Sequence, residues 1–416
     1  MTGKSPASSL ERTPKVMAFL AAVAAACSGD DGASLSSGNA GLAMLSEGLA
    51  AAGLGGQAEL AEQLLDQAGH RLGEEPMSAS LYSGFTGVAW AHNRRQRIEG
   101  RPPLPDDDCE AVDGVLADAL SQASWRGHFD LINGLAGIAV YLLDRVACDV
   151  PRAALADVVR HLERAAVSDD CGLTWITPPR HLPAHFRALG PDGVADLGLA
   201  HGVPAPLAIL AEIAAAGIER DRCLALLHGG MSWLLAHRLT DGFLSAFPSV
   251  VVPGEASKTY PARLAWCYGD AGVALALARV SALSGDASWS AAARETALRA
   301  AGRPLADAGV VDHSLCHGSA SLYLAFDRLH RHFGDPELRA AATRWLGVLT
   351  SDLESEPPLH QYRMIGESGR VDSRGLLEGP AGAALAILDA LGLAPAGWAR
   401  WMMLDDIPGS GGVGHA

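Results

Sequence analysis

No stretch of this 416-residue chain reaches the roughly 18 consecutive apolar residues that a membrane-spanning helix requires. Basic residues are in the minority, 32 Lys and Arg against 47 Asp and Glu, for a net charge of -15. No basic block interrupts that balance, so nucleic acid is not an expected partner. Aromatic residues are scarce at 6% while hydrophobic residues make up 49%, so a core here is built mainly of Ala, Leu and Val. The seven cysteines are an odd, scattered set without disulfide-framework spacing, which points to a reducing compartment, the cytoplasm. One segment imitates a secretory signal: VMAFLAAVAAAC, from Val16 to Cys27, ends in a lipobox-like cysteine. The leader before it is long and weakly basic, and the segment is expected to be the outer helix of a first repeat.

What the chain does have is repetition. Seven segments share a polar residue, a glycine and a small apolar helix start: SLSSGNAGLAM, SLYSGFTGVAW, DLINGLAGIAV, GLAHGVPAPLA, AWCYGDAGVAL, SLCHGSASLYL and GLLEGPAGAAL. Aligned on Gly38, Gly84, Gly134, Gly202, Gly269, Gly318 and Gly379, they recur at intervals of 46 to 68 residues, a period of stacked supersecondary units. The stretch before each glycine is amphipathic and the stretch after it is apolar on all sides. Each repeat is therefore expected to be an outer helix, a loop and a buried inner helix. The first glycine is expected to permit an unusual backbone angle at the loop-to-helix junction. The second, replaced by Ala205 and Ser321 in two repeats, is expected to let inner helices approach closely. Neither end of the array has a polar capping repeat. The expected fold is thus all-α: an (α/α) toroid of seven helical hairpins forming a single domain over residues 1–416. Long connections at 168–197, 240–262 (with a β-like FPSVVV run) and 351–374 are expected to lie over one mouth, where a peptide substrate would lie against them.

In a closed repeat, equivalent positions face a common centre. The residues preceding the seven glycines are Ser37, Ser83, Asn133, His201, Tyr268, His317 and Glu378. Cys267 and Cys316 sit one position further back. Two thiolates and an imidazole, Cys267, Cys316 and His317, make a zinc set with an open fourth position, the mark of a catalytic site; a pair of core cysteines is the alternative. Cys316 and His317 are sequence neighbours, which on a helix would diverge by about 100°, so both must lie in the loop before it. His201 suits a general acid/base or a fourth ligand. Asp130 suits a partner fixing that imidazole's tautomer, or a helix cap. Arg263 suits an anchor for a carboxylate or carbonyl, or a surface ion pair, and Tyr268 a hydrogen-bond donor. Ser37, Ser83, Asn133 and Glu378 read as caps. Paired carboxylates of the glycosidase kind are lacking, since the ring offers only Glu378 and Asp130.

The segments AWCYGDAG, SLCHGSAS, GLAHGVPAP and GLLEGPAG resemble the lanthionine synthetase C (LanC)-like proteins, from Ser34 to about Leu388. DGFLSAFP and YPARLAWCYG are similar to family sequence too. The resemblance implies a seven-fold α/α toroid and one zinc ion per chain on Cys267, Cys316 and His317. It implies a catalytic centre lined by His201, Asp130, Arg263 and Tyr268. The implied activity is a lanthipeptide cyclase, which adds peptide cysteine thiols to dehydroalanine or dehydrobutyrine within one peptide. Its implied partners are a dehydrated precursor peptide with a leader and a separate dehydratase, because no dehydratase region is recognised in this chain. The alternatives within the resemblance are a glutathione-binding or thiol-adding enzyme and a non-catalytic interaction protein.

Overall fold

The apolar spacing described above is realised as fifteen α-helices among the described residues of the computed structural model, which are 10–29, 31–105, 107–182, 184–240, 242–255, 259–355, 359–366 and 368–409. In chain order they are α1 (Pro14–Ala26), α2 (Asn39–Ala51), α3 (Gln57–Arg71), α4 (Phe85–Ile98), α5 (Glu110–Ser121), α6 (Leu135–Asp144), α7 (Asp149–Ala165), α8 (Ala184–Leu189), α9 (Pro204–Ala215), α10 (Arg220–Ala236), α11 (Asp270–Ser284), α12 (Ala287–Ala301), α13 (Ser319–Phe333), α14 (Pro336–Leu349) and α15 (Pro380–Ala390). Apart from the short α8 they form seven pairs. The first helix of a pair buries one stripe: α7 buries Pro151, Ala154, Leu155, Val158, Val159 and Leu162, at helical spacing. The second helix is buried on all sides, without a break from Asp270 to Ser281 in α11. The signal-like segment is the first helix of the first pair. In α1, Thr13 caps the N-terminus by accepting from Val16 N–H at 3.3 Å, and Val16, Phe19, Leu20 and Val23 are buried. Cys27 is buried behind it, and burial pushes its thiol up to about 12 against the opposing charge of Arg374. No helix among the described residues is long and apolar enough to cross a membrane.

The chain divides into two compact units. The first takes in the residues up to Gly100 with Val310–His330 and Gly334–Asp405. In it the seventh pair is a neighbour of the first: α15 packs on α1 and α2. A backbone staircase links the loops before the buried helices, from Cys316 N–H to Leu377 O (3.1 Å), Leu377 N–H to Ser36 O (2.9 Å) and Ser36 N–H to Tyr82 O (2.9 Å). The second unit, mainly Arg101–Gly309, repeats the device. There Leu131 N–H donates to Ala200 O at 3.2 Å and Ala200 N–H to Cys267 O at 3.3 Å. Its buried charges are paired, as burial demands: Arg145 with Asp107 and Asp113, both at 2.7 Å, and Arg279 with Glu212 at 2.9 Å.

The repeated glycines have a different cause from the one expected. The first glycine is extended where the motif opens α2, α4 and α15: φ is -115° at Gly38, -110° at Gly84 and -113° at Gly379, conformations open to any residue. What excludes a side chain is the loop itself. A Cβ would lie 2.0 Å from Ser78 O at Gly84, 2.2 Å from His128 O at Gly134 and 2.2 Å from Asp196 O at Gly202, in each case the carbonyl six residues earlier. The second glycine serves close approach twice over: a Cβ would lie 2.0–2.2 Å from the carbonyl six residues earlier in its own loop, and it would also meet a loop leucine of the neighbouring repeat, Leu376 at Gly41, Leu35 at Gly87, Leu315 at Gly382 and Leu199 at Gly272.

The long connections carry short strands. Strands β1 (Ala166–Asp169) and β2 (Gly172–Trp175) form an antiparallel hairpin, and β2 packs on α10. Strand β3 (Ala195–Asp196) pairs with β4 (Val250–Val251), so the FPSVVV run joins the first long connection to the second. Leu182, Val194, Val250 and Val252 form a small core there, with Phe186 and Leu189 of α8 packed against it. Buried Asp270 holds the second connection by accepting from Ala246 N–H (2.9 Å) and Phe247 N–H (3.1 Å), with Arg303 as its counter-ion at 2.8 Å. In the third, β5 (Ile365–Gly366) pairs with β6 (Gly369–Arg370). Residues 183, 241, 256–258, 356–358 and 367 of these connections, including the first residue of DGFLSAFP, lie outside the described residues.

Candidate active site

The loop before α6 places Asp130 so that one carboxylate does two things. Its Oδ1 accepts from Asn133 N–H at 2.7 Å, closing the turn into the helix, and its Oδ2 lies 2.7 Å from His201 Nδ1. The imidazole-holding reading of Asp130 thus has its geometry, whereas the helix-cap reading does not: α6 begins at Leu135 with Gly134 as its cap and takes no side-chain cap bond. Asp130 is buried, whereas the His201 side chain is 33% exposed, so the outer part of the ring is open to a ligand. Burial raises the Asp130 carboxyl, but hydrogen bonds from His128 and His201 outweigh it and bring the group to about 2. Burial also works against a charged His201. The hydrogen bond and charge of Asp130, followed by Asp196 and Cys267, overcome it and raise the imidazole above its ordinary value.

Tyr268 faces His201 with ring centroids 5.8 Å apart, backed by Phe186 of α8 edge-on at 5.5 Å. Its hydroxyl hydrogen-bonds Asp196, a buried carboxylate that also accepts from Gly198 N–H at 2.7 Å. Burial pushes the Asp196 carboxyl up to about 7, against the pull of the His201 charge. Four residues before Cys267 in the same loop, Arg263 directs a guanidinium N–H at Cys267 Sγ, 3.9 Å away, an arrangement that suits a sulfur carrying negative charge. All these groups belong to the second unit.

Cys316 and His317 belong to the first unit. Because α13 begins at Ser319, both lie in the loop before the helix, as two neighbours acting together require; Cys267 precedes α11 in the same way. His317 Nδ1 is 3.4 Å from Asp312 Oδ2. Asp312 is itself fixed by Ser314 N–H (2.9 Å) and Ile365 N–H (3.0 Å). A carboxylate on one imidazole nitrogen is the usual means of orienting a histidine whose other nitrogen binds metal. Among the described residues, no group of three or more His, Cys, Asp or Glu side chains is gathered closely enough to hold a metal ion.

Sequence reasoning missed His128, His181, Asp196 and Asp312. His128 Nδ1 is 3.7 Å from Asp130 Oδ2, and its ring stacks on His181 with centroids 3.7 Å apart. Burial, then the charges of His128 and Arg180, push the His181 imidazole below its ordinary value. Beside this stack lies a cavity of about 310 Å³ that reaches His201 and Asp130. A signal for three of the four was present: His128, Asp196 and Asp312 all stand six residues before the first glycine of their motif, and each abuts that glycine. His181 comes from the first long connection and has no register in the repeat. The serines act locally: Ser34 with Ser37 and Ser80 with Ser83 form hydroxyl pairs at 3.0 Å, and the Glu378 carboxyl is pushed up by burial.

Helices whose preceding loops carry an imidazole–carboxylate pair, two cysteines and a second histidine mark an all-α protein built from helical repeats. The sequence model of the lanthionine synthetase C-like proteins matches residues 29–402, and the chain belongs to that family. Among solved structures it is similar to a nisin cyclase, at 19% identity over 94% of this chain and 96% of that one, with a TM-score of 0.72. The likeness shows the fold, the α/α toroid class expected from the seven repeats. No curated protein matches the sequence.

Proposed function

We propose that this protein is a zinc-dependent lanthipeptide cyclase of the cytoplasm, closing thioether rings in a precursor peptide that a separate dehydratase has already modified. The observation that carries the reading is the 2.7 Å contact between His201 and Asp130, in a member of the lanthionine synthetase C-like family. Zinc bound by Cys267, Cys316 and His317 would supply a lowered pKa to a peptide thiol, the two thiolates and one imidazole being a donor set that leaves a position open. The residues fit that role chemically: the Asp312 carboxylate lies 3.4 Å from one nitrogen of His317, and Arg263 faces the Cys267 sulfur.

The rest of the reaction falls to the chain's own side chains. The peptide sulfur bonds to the β-carbon of the dehydroamino acid, and the alkene electron pair moves onto the acceptor carbonyl as an enolate. His201, kept protonated by Asp130, gives its proton to the α-carbon. Arg263 or Tyr268 hydrogen-bonds the enolate oxygen as charge develops there. The thiol proton lost on activation restores the imidazolium, so the ring forms with no net change in protons.

Ring closure leaves the peptide mass unchanged, so the assay counts thiols that remain open to alkylation. The wild-type protein with zinc should remove them well above the uncatalysed background. His201→Ala should keep its zinc and lose about two or more orders of magnitude in rate. Loss of zinc from His201→Ala would make His201 a ligand rather than the acid, and an unchanged rate would remove it from the reaction.

A further inference from the structure

The cavity beside the dyad has a lining that the proposed reaction does not use. It is bounded by the extended segment Ile176–Pro178, the turn Pro179–His181, the end of α7 and the loop before α6, and it opens onto His201. In a chain of net charge -15, its lining includes two guanidinium groups, those of Arg164 and Arg180. Asp130 is the one carboxylate of that lining, and it is already committed to His201 and Asn133. Arg164 donates to Ala123 O. Arg180 makes no ion pair or hydrogen bond among the described residues, although its charge is felt at the adjacent His181. Thr177 adds an independent observation. It is only 7% exposed, its N–H and C=O are taken by Val194 at 2.8 and 3.2 Å, and its buried Oγ1 has no hydrogen-bond partner among the described residues.

A buried hydroxyl and an exposed guanidinium without a protein partner among the described residues, both lining one small cavity, suit an acceptor-rich group that carries negative charge. A carboxylate meets both, because its two oxygens match the guanidinium fork and still accept from a hydroxyl. The stacked imidazoles of His128 and His181 form a flat wall beside it. We propose that this cavity is a subsite for a carboxylate of the peptide substrate, next in sequence to the dehydroamino acid, with Arg180 as its anchor and Thr177 as a second donor. An acidic side chain and a chain-terminal carboxylate present the same group. The consequence for ring formation rests on the cyclase reading; the binding itself does not.

The test uses the zinc-loaded protein and unreactive peptides carrying alanine at the acceptor position, titrated by calorimetry. One peptide has Glu beside that alanine and a second has Gln. A third ends there in a free carboxylate, and a fourth ends there as the amide. The Glu peptide, the free-carboxylate peptide or both should bind roughly tenfold more tightly than the matched amide, the size expected for a hydrogen-bonded charge; which of them does so identifies the source. Arg180→Gln should erase the difference, Arg180→Lys should restore part of it, and Thr177→Val should reduce it severalfold. Equal binding of all four peptides to the wild type, or a preference that survives Arg180→Gln, would overturn the subsite. Cyclisation of the matching dehydrated peptides separates the two readings. A binding preference without ring formation sinks the cyclase and leaves the subsite standing, whereas ring formation without a preference does the reverse.

Discussion

Asp130 joins a local turn to a contact 71 residues away, and the consequences can be read in pH. The folded state holds its carboxyl at about 2, below the ordinary value near 3.9, so its contribution to stability is complete above the carboxylate range and fades as pH falls towards 2. His201 runs the other way. Its raised value means a contribution present in full below about 6.5 and lost as pH rises through the folded value. The pair therefore contributes most between about pH 4 and 6.5. Asp130→Asn should lower the His201 pKa, read from its imidazole NMR shifts, and should move the alkaline limb of the cyclisation rate to lower pH. An unmoved titration would mean that Asp130 does not hold the imidazole charged.

Much of the candidate site was legible from register alone, because His201, Tyr268, Cys267, Cys316 and His317 all fall within two positions of a repeated glycine. Asp130 was legible as a candidate by the same register. Its bond to His201 was not, since the two come from loops of different repeats. Asp312 and Asp196 stood two columns too far left to be noticed. His181 and Thr177 lie in a connection with no counterpart in the other repeats, so only folding brings them beside the dyad.

At the scale of helices and loops, the glycine pattern was legible and half of its cause was not. A Cβ at Gly272 would sit 2.0 Å from Trp266 O and 2.9 Å from the Leu199 side chain. Gly272→Ala should therefore cost about 1–3 kcal/mol through overpacking, measured by denaturant unfolding. Gly114, on the exposed side of α5, has nothing within 4 Å of its missing Cβ. Gly114→Ala should gain up to about 1 kcal/mol from helix propensity. Equal effects at the two sites would show that the motif glycines are not held by close approach. The expected β-like run proved to be two residues of strand, β4, paired with the equally short β3, with a single bridge from Pro248 to Pro261 beside it.

For the molecule as a whole, the seven-hairpin reading depended on counting. Each buried helix needs a neighbour on either side, and the first and last repeats carry no polar face to end an open array. The structure answers within the first unit, where Leu377 N–H donates to Ser36 O and Gly41 lies against Leu376, so the seventh repeat is a neighbour of the first. Membership of the lanthionine synthetase C-like family gives that architecture a chemistry to test. The central claim is that His201 delivers the proton that completes a thioether ring. The most direct measurement is ring formation in deuterium oxide, with the deuterium content and configuration of each new α-carbon read by mass spectrometry and NMR. One deuterium per ring, in a single configuration for the wild type and in mixed configuration at background rate for His201→Ala, is the predicted result. A wild-type product with the same mixture of configurations as the uncatalysed reaction would contradict it.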